Sequence, residues 1–190
     1  MNFDSDTFPP RISERSPRRS LNRPSSALLW LLALGLAALG PAAWADDEPG
    51  TDSGWALSLG AFDIIDSDKA VELGIEYRFE PFRLWRLDLK PVVGLSATSE
   101  GNYWSYGGFR WDIPTEGRWI ATLGFAVAAY EEGDGKDLGC PIEFRSSIDL
   151  AYRLRSGSRI GLSFYHLSNA RIYDLNPGSE SLVLTWSAGR

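Results

Sequence analysis

Val71-Glu-Leu-Gly-Ile-Glu-Tyr-Arg-Phe-Glu80 is the stretch of sequence that decides the fold. Apolar and aromatic residues occupy its odd positions, whereas charged residues and one glycine occupy its even positions. Because successive side chains of a β-strand point to opposite faces, this order puts the apolar groups on one face and the charged groups on the other. A helix would scatter both kinds of residue around its circumference. The stretch therefore predicts a strand with one apolar and one polar face.

The same alternation recurs along the chain after residue 53, most clearly over residues 142–154. Between the alternating segments the sequence is rich in Gly, Pro, Asp, Asn and Ser, which is typical of turns between antiparallel strands. Pro91 cannot donate a hydrogen bond to a strand ladder, so we expect a bulge or local break there. The predicted strands lie at roughly 54–63, 69–80, 84–97, 102–112, 118–131, 141–154, 158–168 and 179–188.

The beginning of the chain has a different composition. Residues 1–26 contain five arginines, Ala27 to Leu39 is almost entirely Ala, Leu and Gly, and Ala43-Trp-Ala45 precedes an acidic step. A basic segment, an apolar segment and an A-x-A triplet are the parts of a secretory signal peptide. We therefore predict that residues 1–45 are removed and that residues 46–190 form the barrel domain; a single transmembrane anchor is the alternative.

Charge and composition exclude several classes of function. Residues 46–190 carry 14 basic and 22 acidic side chains, a net charge of −8, which argues against a nucleic-acid partner. The single cysteine, Cys140, cannot form an internal disulfide, and with one histidine in the chain too few ligands remain for a zinc centre. Neither a metal nor an organic cofactor is implied.

Two architectures fit eight alternating strands: a soluble sandwich or lipocalin-like barrel, and a membrane barrel with its apolar face outside. Charges of both signs on the polar face could pair inside a narrow barrel, and the apolar face is rich in aromatic residues, as in the girdles of membrane barrels. We therefore predict an all-β fold, an eight-stranded antiparallel transmembrane β-barrel in the outer membrane of a Gram-negative cell. The charged residues predicted to face the interior are Glu72, Glu76, Arg78, Arg86, Asp88, Lys90, Glu143, Arg145, Asp149 and Arg153.

Counting strands from a periplasmic start puts the connections near 64–68, 98–101, 131–140 and 169–178 outside the cell. The single histidine, His166, and Ser168 then end the seventh strand, and Glu180 begins the eighth, at this outer end. By parity all three share a face with the apolar residues of their strands. Polar side chains on a lipid-facing surface are costly, so they are candidates for a functional site.

The segment His166-Leu-Ser168-Asn169-Ala170, followed by Asn176-Pro-Gly and Glu180, resembles the C-terminal segment of the PagL family of outer-membrane lipid A 3-O-deacylases. The resemblance implies hydrolysis of the ester-linked 3-hydroxyacyl chain at the 3 position of lipid A. It also implies that Ser168 is the nucleophile, His166 the general base and Glu180 the residue that orients it. Asn169 would then contribute to the oxyanion hole, and Asn176 would be a further motif residue.

Other hypotheses remain beside this one. Arg171 is a candidate contact for a lipid A phosphate, although an arginine at a headgroup boundary is commonly only solvated. The barrel could instead be non-catalytic, with a structural or adhesion role, and His166, Ser168 and Glu180 would then be interfacial polar residues. The implied partners are lipid A and the outer membrane, and the sequence leaves open whether the barrel acts alone or as a homodimer.

Overall fold

The computed structural model describes residues 53–66, 69–113, 115 and 117–188. The predicted signal peptide, residues 1–45, lies outside these residues, so its prediction stays untested. Within the described part of the chain, no helix is long and apolar enough to cross a membrane. The strands of this part are β1 (Gly54–Phe62), β2 (Ala70–Arg78), β3 (Phe82–Leu84), β4 (Leu87–Thr98), β5 (Tyr103–Ile113), β6 (Trp119–Glu131), β7 (Ile142–Arg153), β8 (Arg159–Ser168) and β9 (Ser179–Ser187).

Eight of these strands form a closed antiparallel barrel. The strands pair in the order β2-β1-β9-β8-β7-β6-β5-β4, and β2 also pairs with β4, which completes the ring. The short β3 pairs only with β4, at Leu87 to Leu89. It lies on the same side of β4 as β2, which pairs with the later residues Val92 to Thr98. This arrangement confirms the predicted eight-stranded antiparallel transmembrane barrel.

The irregularity expected at Pro91 lies in the neighbouring chain segment rather than in the strand that contains the proline. Pro91 pairs with Phe109 within an uninterrupted β4, and its carbonyl accepts a hydrogen bond from the Phe79 N–H at 2.9 Å. In the adjacent segment, β2 ends at Arg78 and the next strand, β3, begins only at Phe82. Since proline offers no N–H to the neighbouring edge, the ladder there is interrupted between β2 and β3.

The apolar face of the barrel points outward and the polar face inward. In β2, Leu73 is 62% exposed whereas Glu72 is 1% exposed, and in β7, Ile148 is 63% exposed whereas Glu143 is fully buried. This distribution is the reverse of a soluble barrel, which buries its apolar face. It excludes the lipocalin-like alternative.

The interior is held by ion pairs and close packing. Arg78 bonds Glu76 at 2.8 Å, and Arg110 bonds Asp149 at 3.0 Å. The guanidinium of Arg145 lies 4.0 Å from the centre of the Tyr165 ring, a cation–π contact. Each of these three arginines can be buried because its charge meets an opposite charge or an aromatic ring.

Three of the charged residues predicted to face the interior do not do so. Arg86, Asp88 and Arg153 are exposed. Asp88 instead pairs with Arg83 at the surface, at 2.9 Å, beside the turn between β3 and β4. These three residues lie at the ends of strands, where the barrel wall stops and side chains of either parity reach solvent.

Small residues make room for large ones in the lumen. A Cβ added to Gly94 would overlap the Tyr106 ring, and one added to Gly124 would overlap the Ser147 hydroxyl. An eight-stranded barrel is just wide enough for side chains to fill, so bulky interior groups need small neighbours.

The two ends of the barrel differ. Outward aromatic side chains gather at the end of the barrel farthest from His166. There Trp55 contacts Tyr77 and Trp119 contacts Tyr152, both edge to face. The other end carries the loops after β1, β4, β6 and β8, which are the connections predicted to lie outside the cell. Lys136 in the loop after β6 bonds Asp63 at 2.7 Å and Asp66 at 2.9 Å in the loop after β1. The loops at this end therefore pack on one another.

Candidate active site

His166 and Glu180 are direct partners in the β8–β9 ladder. Nδ1 of the imidazole lies 2.9 Å from Oε1 of the carboxylate, and the two side chains are 42% and 22% exposed. When Nδ1 carries the proton it donates to the carboxylate, and Nε2 is then the free basic nitrogen. Glu180 can in this way set the tautomer and ring orientation of His166.

Ser168 is the last residue of β8 and stands two positions after His166. Residues i and i+2 of a strand share a face and lie about 7 Å apart along it, so the hydroxyl and the imidazole are neighbours on the outer surface. Ser168 is half-buried and pairs with Phe144 of β7. Two of the three residues of the predicted triad therefore meet directly, and the third shares their face and their end of the barrel.

Gly178 supports the imidazole from the loop between β8 and β9. Its φ is +71°, and a Cβ added there would lie 2.8 Å from Cε1 and 3.4 Å from Nε2 of His166. The loop backbone thus runs against the edge of the ring, where only glycine fits without displacing it. Sequence reasoning included this glycine in the Asn176-Pro-Gly motif but gave it no role, although its position directly before β9 and after Pro177 was an available signal.

Asn169 is fully buried beneath the loop. Its Nδ2 donates to the Leu175 carbonyl at 2.8 Å and to the Leu138 carbonyl at 3.2 Å. Its backbone N–H donates to Oδ1 of Asn176 at 3.0 Å. In this arrangement both asparagines hold the turn that follows Ser168. The backbone N–H and the side-chain amide of Asn169 already donate to these acceptors, so the oxyanion role predicted for Asn169 stays a prediction.

The turn after Ser168 has an unusual backbone. Ala170 and Arg171 both have positive φ, 53° and 62°, a conformation that costs residues other than glycine roughly 1–2 kcal/mol each. The Arg171 N–H donates to Oδ1 of Asn169 at 3.0 Å, which holds the turn in place. The Arg171 side chain itself is exposed. Its predicted contact with a phosphate is therefore not hindered by the protein.

The loop after β6 packs against the turn that follows Ser168. Leu138 is fully buried, and its carbonyl accepts the bond from Asn169. A Cβ added to Gly139, with φ +87°, would overlap the Leu175 carbonyl, so the two loops approach as closely as their backbones allow. The position of Ser168 thus depends on the loop at residues 132–141 as well as on β8.

Metal-ligand geometry is not found in the described ranges, since no group of three or more His, Cys, Asp or Glu side chains converges there. Cys140 is buried and free. The chemistry available at this site is that of a hydroxyl, an imidazole and a carboxylate on an apolar surface.

Comparison with known proteins identifies the family. The family described as Lipid A 3-O-deacylase (PagL) matches residues 69–188. The lipid A deacylase PagL of Bordetella bronchiseptica (strain ATCC BAA-588 / NCTC 13252 / RB50) is 32% identical over 111 residues, which cover 54% of this chain and 62% of that protein. The chain thus spans somewhat less than two thirds of the curated relative it matches.

A solved structure has the same fold. The crystal structure of the outer membrane enzyme PagL superimposes with a TM-score of 0.57 at 20% sequence identity, covering 72% of this chain and 99% of that one. At this identity the likeness shows the barrel fold. The family match over residues 69–188, more than half of the chain, shows that this chain belongs to the lipid A 3-O-deacylase (PagL) family.

Proposed function

We propose that the protein is an outer-membrane esterase that removes the 3-hydroxyacyl chain from the 3 position of lipid A. The observation that carries this proposal is the contact between His166 Nδ1 and Glu180 Oε1 on the lipid-facing surface, two residues from Ser168. A histidine, a carboxylate and a serine on one outer face are what ester hydrolysis at a bilayer surface requires.

In the proposed reaction, Nε2 of His166 takes the proton from the Ser168 hydroxyl as Oγ attacks the ester carbonyl. Glu180 stabilises the imidazolium that forms. The imidazolium then returns the proton to the oxygen of the sugar as the ester bond breaks, which leaves the acyl chain on Ser168. A water molecule, deprotonated by His166, releases the fatty acid and restores the hydroxyl.

The tetrahedral intermediate needs hydrogen-bond donors beside its oxyanion. The turn that follows Ser168 is the proposed source, with Asn169 as its first residue. Its left-handed conformation at Ala170 and Arg171 turns the backbone sharply just after the nucleophile. Arg171, exposed beside it, is the proposed contact for a phosphate of the substrate headgroup.

The location of the site defines how the substrate arrives. The lumen is occupied by ion pairs such as Arg110–Asp149, whereas the outer face around His166 is apolar. A membrane lipid can therefore reach Ser168 by lateral diffusion in the leaflet, without entering the barrel. Under the orientation predicted from strand counting, this is the outer leaflet, where lipid A resides.

Mass spectrometry of lipid A from cells that express the wild type, Ser168→Ala or His166→Ala tests the proposal. The wild type should remove one 3-hydroxyacyl chain, and both variants should leave lipid A intact while their barrels assemble at equal levels. Deacylation by Ser168→Ala would overturn the assignment of the nucleophile. An unchanged lipid A pattern in all three strains would instead favour a non-catalytic barrel.

A further inference from the structure

Ser146 lies beside the candidate active site on the side opposite Glu180. It pairs directly with His166 across the β7–β8 ladder, just as Glu180 pairs with His166 across the β8–β9 ladder. Three polar side chains from three neighbouring strands therefore stand in one row on the outer surface. The row continues into β6 with Phe125, the partner of Ser146, which is 55% exposed.

Apart from Tyr152 at the far end of the strand, Ser146 is the one outward residue of β7 with a polar group. The other outward residues of this strand are Ile142, Phe144, Ile148, Leu150 and Tyr152. The side chain of Ser146 is exposed, and no group in the described part of the chain forms a hydrogen bond with its hydroxyl. A hydroxyl turned toward hydrocarbon without a partner costs free energy, so a lipid-borne partner would stabilise it.

The register places Ser146 within reach of an acyl chain on Ser168. Ser168 pairs with Phe144, so Ser146 is its diagonal neighbour across the ladder, about 7–8 Å away and somewhat less between the two Cβ atoms. In an acyl group bound to Ser168 Oγ, a hydroxyl on the third carbon lies roughly 4–5 Å from that oxygen, given bonds of about 1.5 Å. A 3-hydroxyl that points toward β7 therefore comes within hydrogen-bond distance of Ser146.

The small side chain of Ser146 also leaves room for an acyl chain bound to Ser168. Phe125 and Phe144 stack at 5.9 Å on one side of Ser146, and the exposed Ile148 lies on the other. The serine leaves a notch between these larger apolar groups, at the level of His166. A chain that leaves Ser168 across β7 meets apolar surface on both sides and one hydroxyl at the base.

We propose that Ser146 is a specificity-determining residue that binds the 3-hydroxyl of the acyl chain and so selects 3-hydroxyacyl esters over unsubstituted ones. This inference rests on the proposed function, because it names the part of the substrate that the same site recognises. The selection arises because an unsubstituted chain leaves the Ser146 hydroxyl unpaired, whereas a 3-hydroxylated chain satisfies it.

The test compares two synthetic esters in detergent micelles: glucosamine carrying either a 3-hydroxytetradecanoyl or a tetradecanoyl group at its 3 position. The readout is the ratio of kcat/KM for the two esters. Wild type should prefer the hydroxylated ester by roughly tenfold, the equivalent of one hydrogen bond. Ser146→Val should abolish the preference and Ser146→Thr, which matches valine in size but keeps a hydroxyl, should retain it.

Ser105→Ala is the matched control, since Ser105 is also an outward serine but lies on β5, three strands away from β8. It should change neither rate. Equal losses on both esters in Ser146→Val, with the ratio kept, would overturn the inference and assign Ser146 a packing role. Hydrolysis of neither ester by the wild type would overturn the proposed function and the inference with it, whereas hydrolysis of both at equal kcat/KM would overturn the inference alone.

Discussion

His166 and Glu180 face each other across the β8–β9 ladder, with Nδ1 and Oε1 2.9 Å apart and both side chains on the outer surface. Under the proposed mechanism, Glu180 is the carboxylate that orients the imidazole. Replacing it by Gln keeps the shape of the side chain but removes the charge that stabilises the imidazolium. Under the proposed mechanism, Glu180→Gln should lower kcat by roughly 10²–10⁴-fold with little change in KM.

Kinetics on a micellar ester substrate measures this effect. Glu100→Gln, an exposed carboxylate in the loop after β4, is the control and should behave as the wild type. A kcat for Glu180→Gln within twofold of the wild type would show that another group orients His166.

Gly178→Ala should impair the site while the barrel stays intact. The added Cβ would lie 2.8 Å from His166 Cε1, so the imidazole must shift from its present position. A displacement of about 1 Å between reacting groups can cost roughly 100-fold in rate, and we expect a loss of that order.

Gly117→Ala separates this steric effect from backbone strain. Gly117 also has a positive φ, +83°, but a Cβ there meets nothing within 4 Å. Both variants should lose about 1–2 kcal/mol of stability in urea unfolding, and only Gly178→Ala should lose activity. Equal activity in the two variants would contradict a supporting role for Gly178.

Asn176→Ala should reduce activity through the turn that follows Ser168. Its Oδ1 accepts the Asn169 N–H at 3.0 Å, and without it this N–H is left without its partner. We expect kcat to fall by about tenfold, since one hydrogen bond that holds the turn is lost. Asn176→Asp keeps an acceptor oxygen and should restore most of the rate; failure of this rescue would indicate that Asn176 acts in another way.

The ion pairs of Lys136 predict a pH-dependent contribution to stability. Burial lowers the pKa of Lys136, but its hydrogen bonds to Asp63 and Asp66 outweigh burial and raise the pKa above its ordinary value. A raised pKa in the folded state means that the stabilisation is fully present below the unfolded pKa and is lost as the pH rises through the folded pKa.

Lys136→Met should therefore be less stable than the wild type by about 3 kcal/mol at pH 8, because Asp63 is left buried without a cation. The difference should shrink as the pH rises from about 10.4, the ordinary pKa of lysine in the unfolded chain, through the higher pKa of Lys136 in the folded protein. Urea unfolding in detergent at pH 8 and pH 11 measures it, and Lys69→Met, at an exposed lysine, is the control. A difference that stays constant over this range would mean that packing, and not charge, carries the effect.

Arg171 allows the proposed phosphate contact to be separated from backbone strain. Arg171→Gln and Arg171→Gly both remove the charge, and both should raise KM about fivefold for a phosphorylated substrate but not for its dephosphorylated form. Only Arg171→Gly relieves the positive φ of 62°, so it alone should gain stability, by about 1 kcal/mol. An unchanged KM in both variants would leave Arg171 as a solvated side chain.

Much of the fold could be predicted because the strands of a membrane barrel alternate between apolar residues that face lipid and polar residues that face the lumen, and this alternation is visible in the sequence. Leu73 and Glu72 differ in exposure as strictly as their alternation predicts. The errors lie where the barrel wall ends: Arg86, Asp88 and Arg153 follow the polar parity but reach solvent. Parity decides between lumen and lipid only along the wall itself, since beyond it both faces meet water.

The candidate site was only partly accessible to the same reasoning. His166 was identified because it is the single histidine, and Ser168 and Glu180 because of their parity and the local resemblance. Gly178 was quoted in the motif without a role, and no role was predicted for Ser146. Gly178 acts through a close contact between a loop and a ring, and Ser146 becomes a neighbour of His166 only through the pairing of β7 with β8.

By itself, the sequence determined that the strands have one apolar and one polar face, because side-chain alternation is a local property of an extended backbone. Only the tertiary structure decided which residues stand side by side. The β8–β9 register sets Glu180 against His166, and a slip of one residue would turn Glu180 into the lumen. Register depends on every hydrogen bond of a ladder and on the loops that close it, such as the one held by Asn169, and these are contacts between residues distant in sequence.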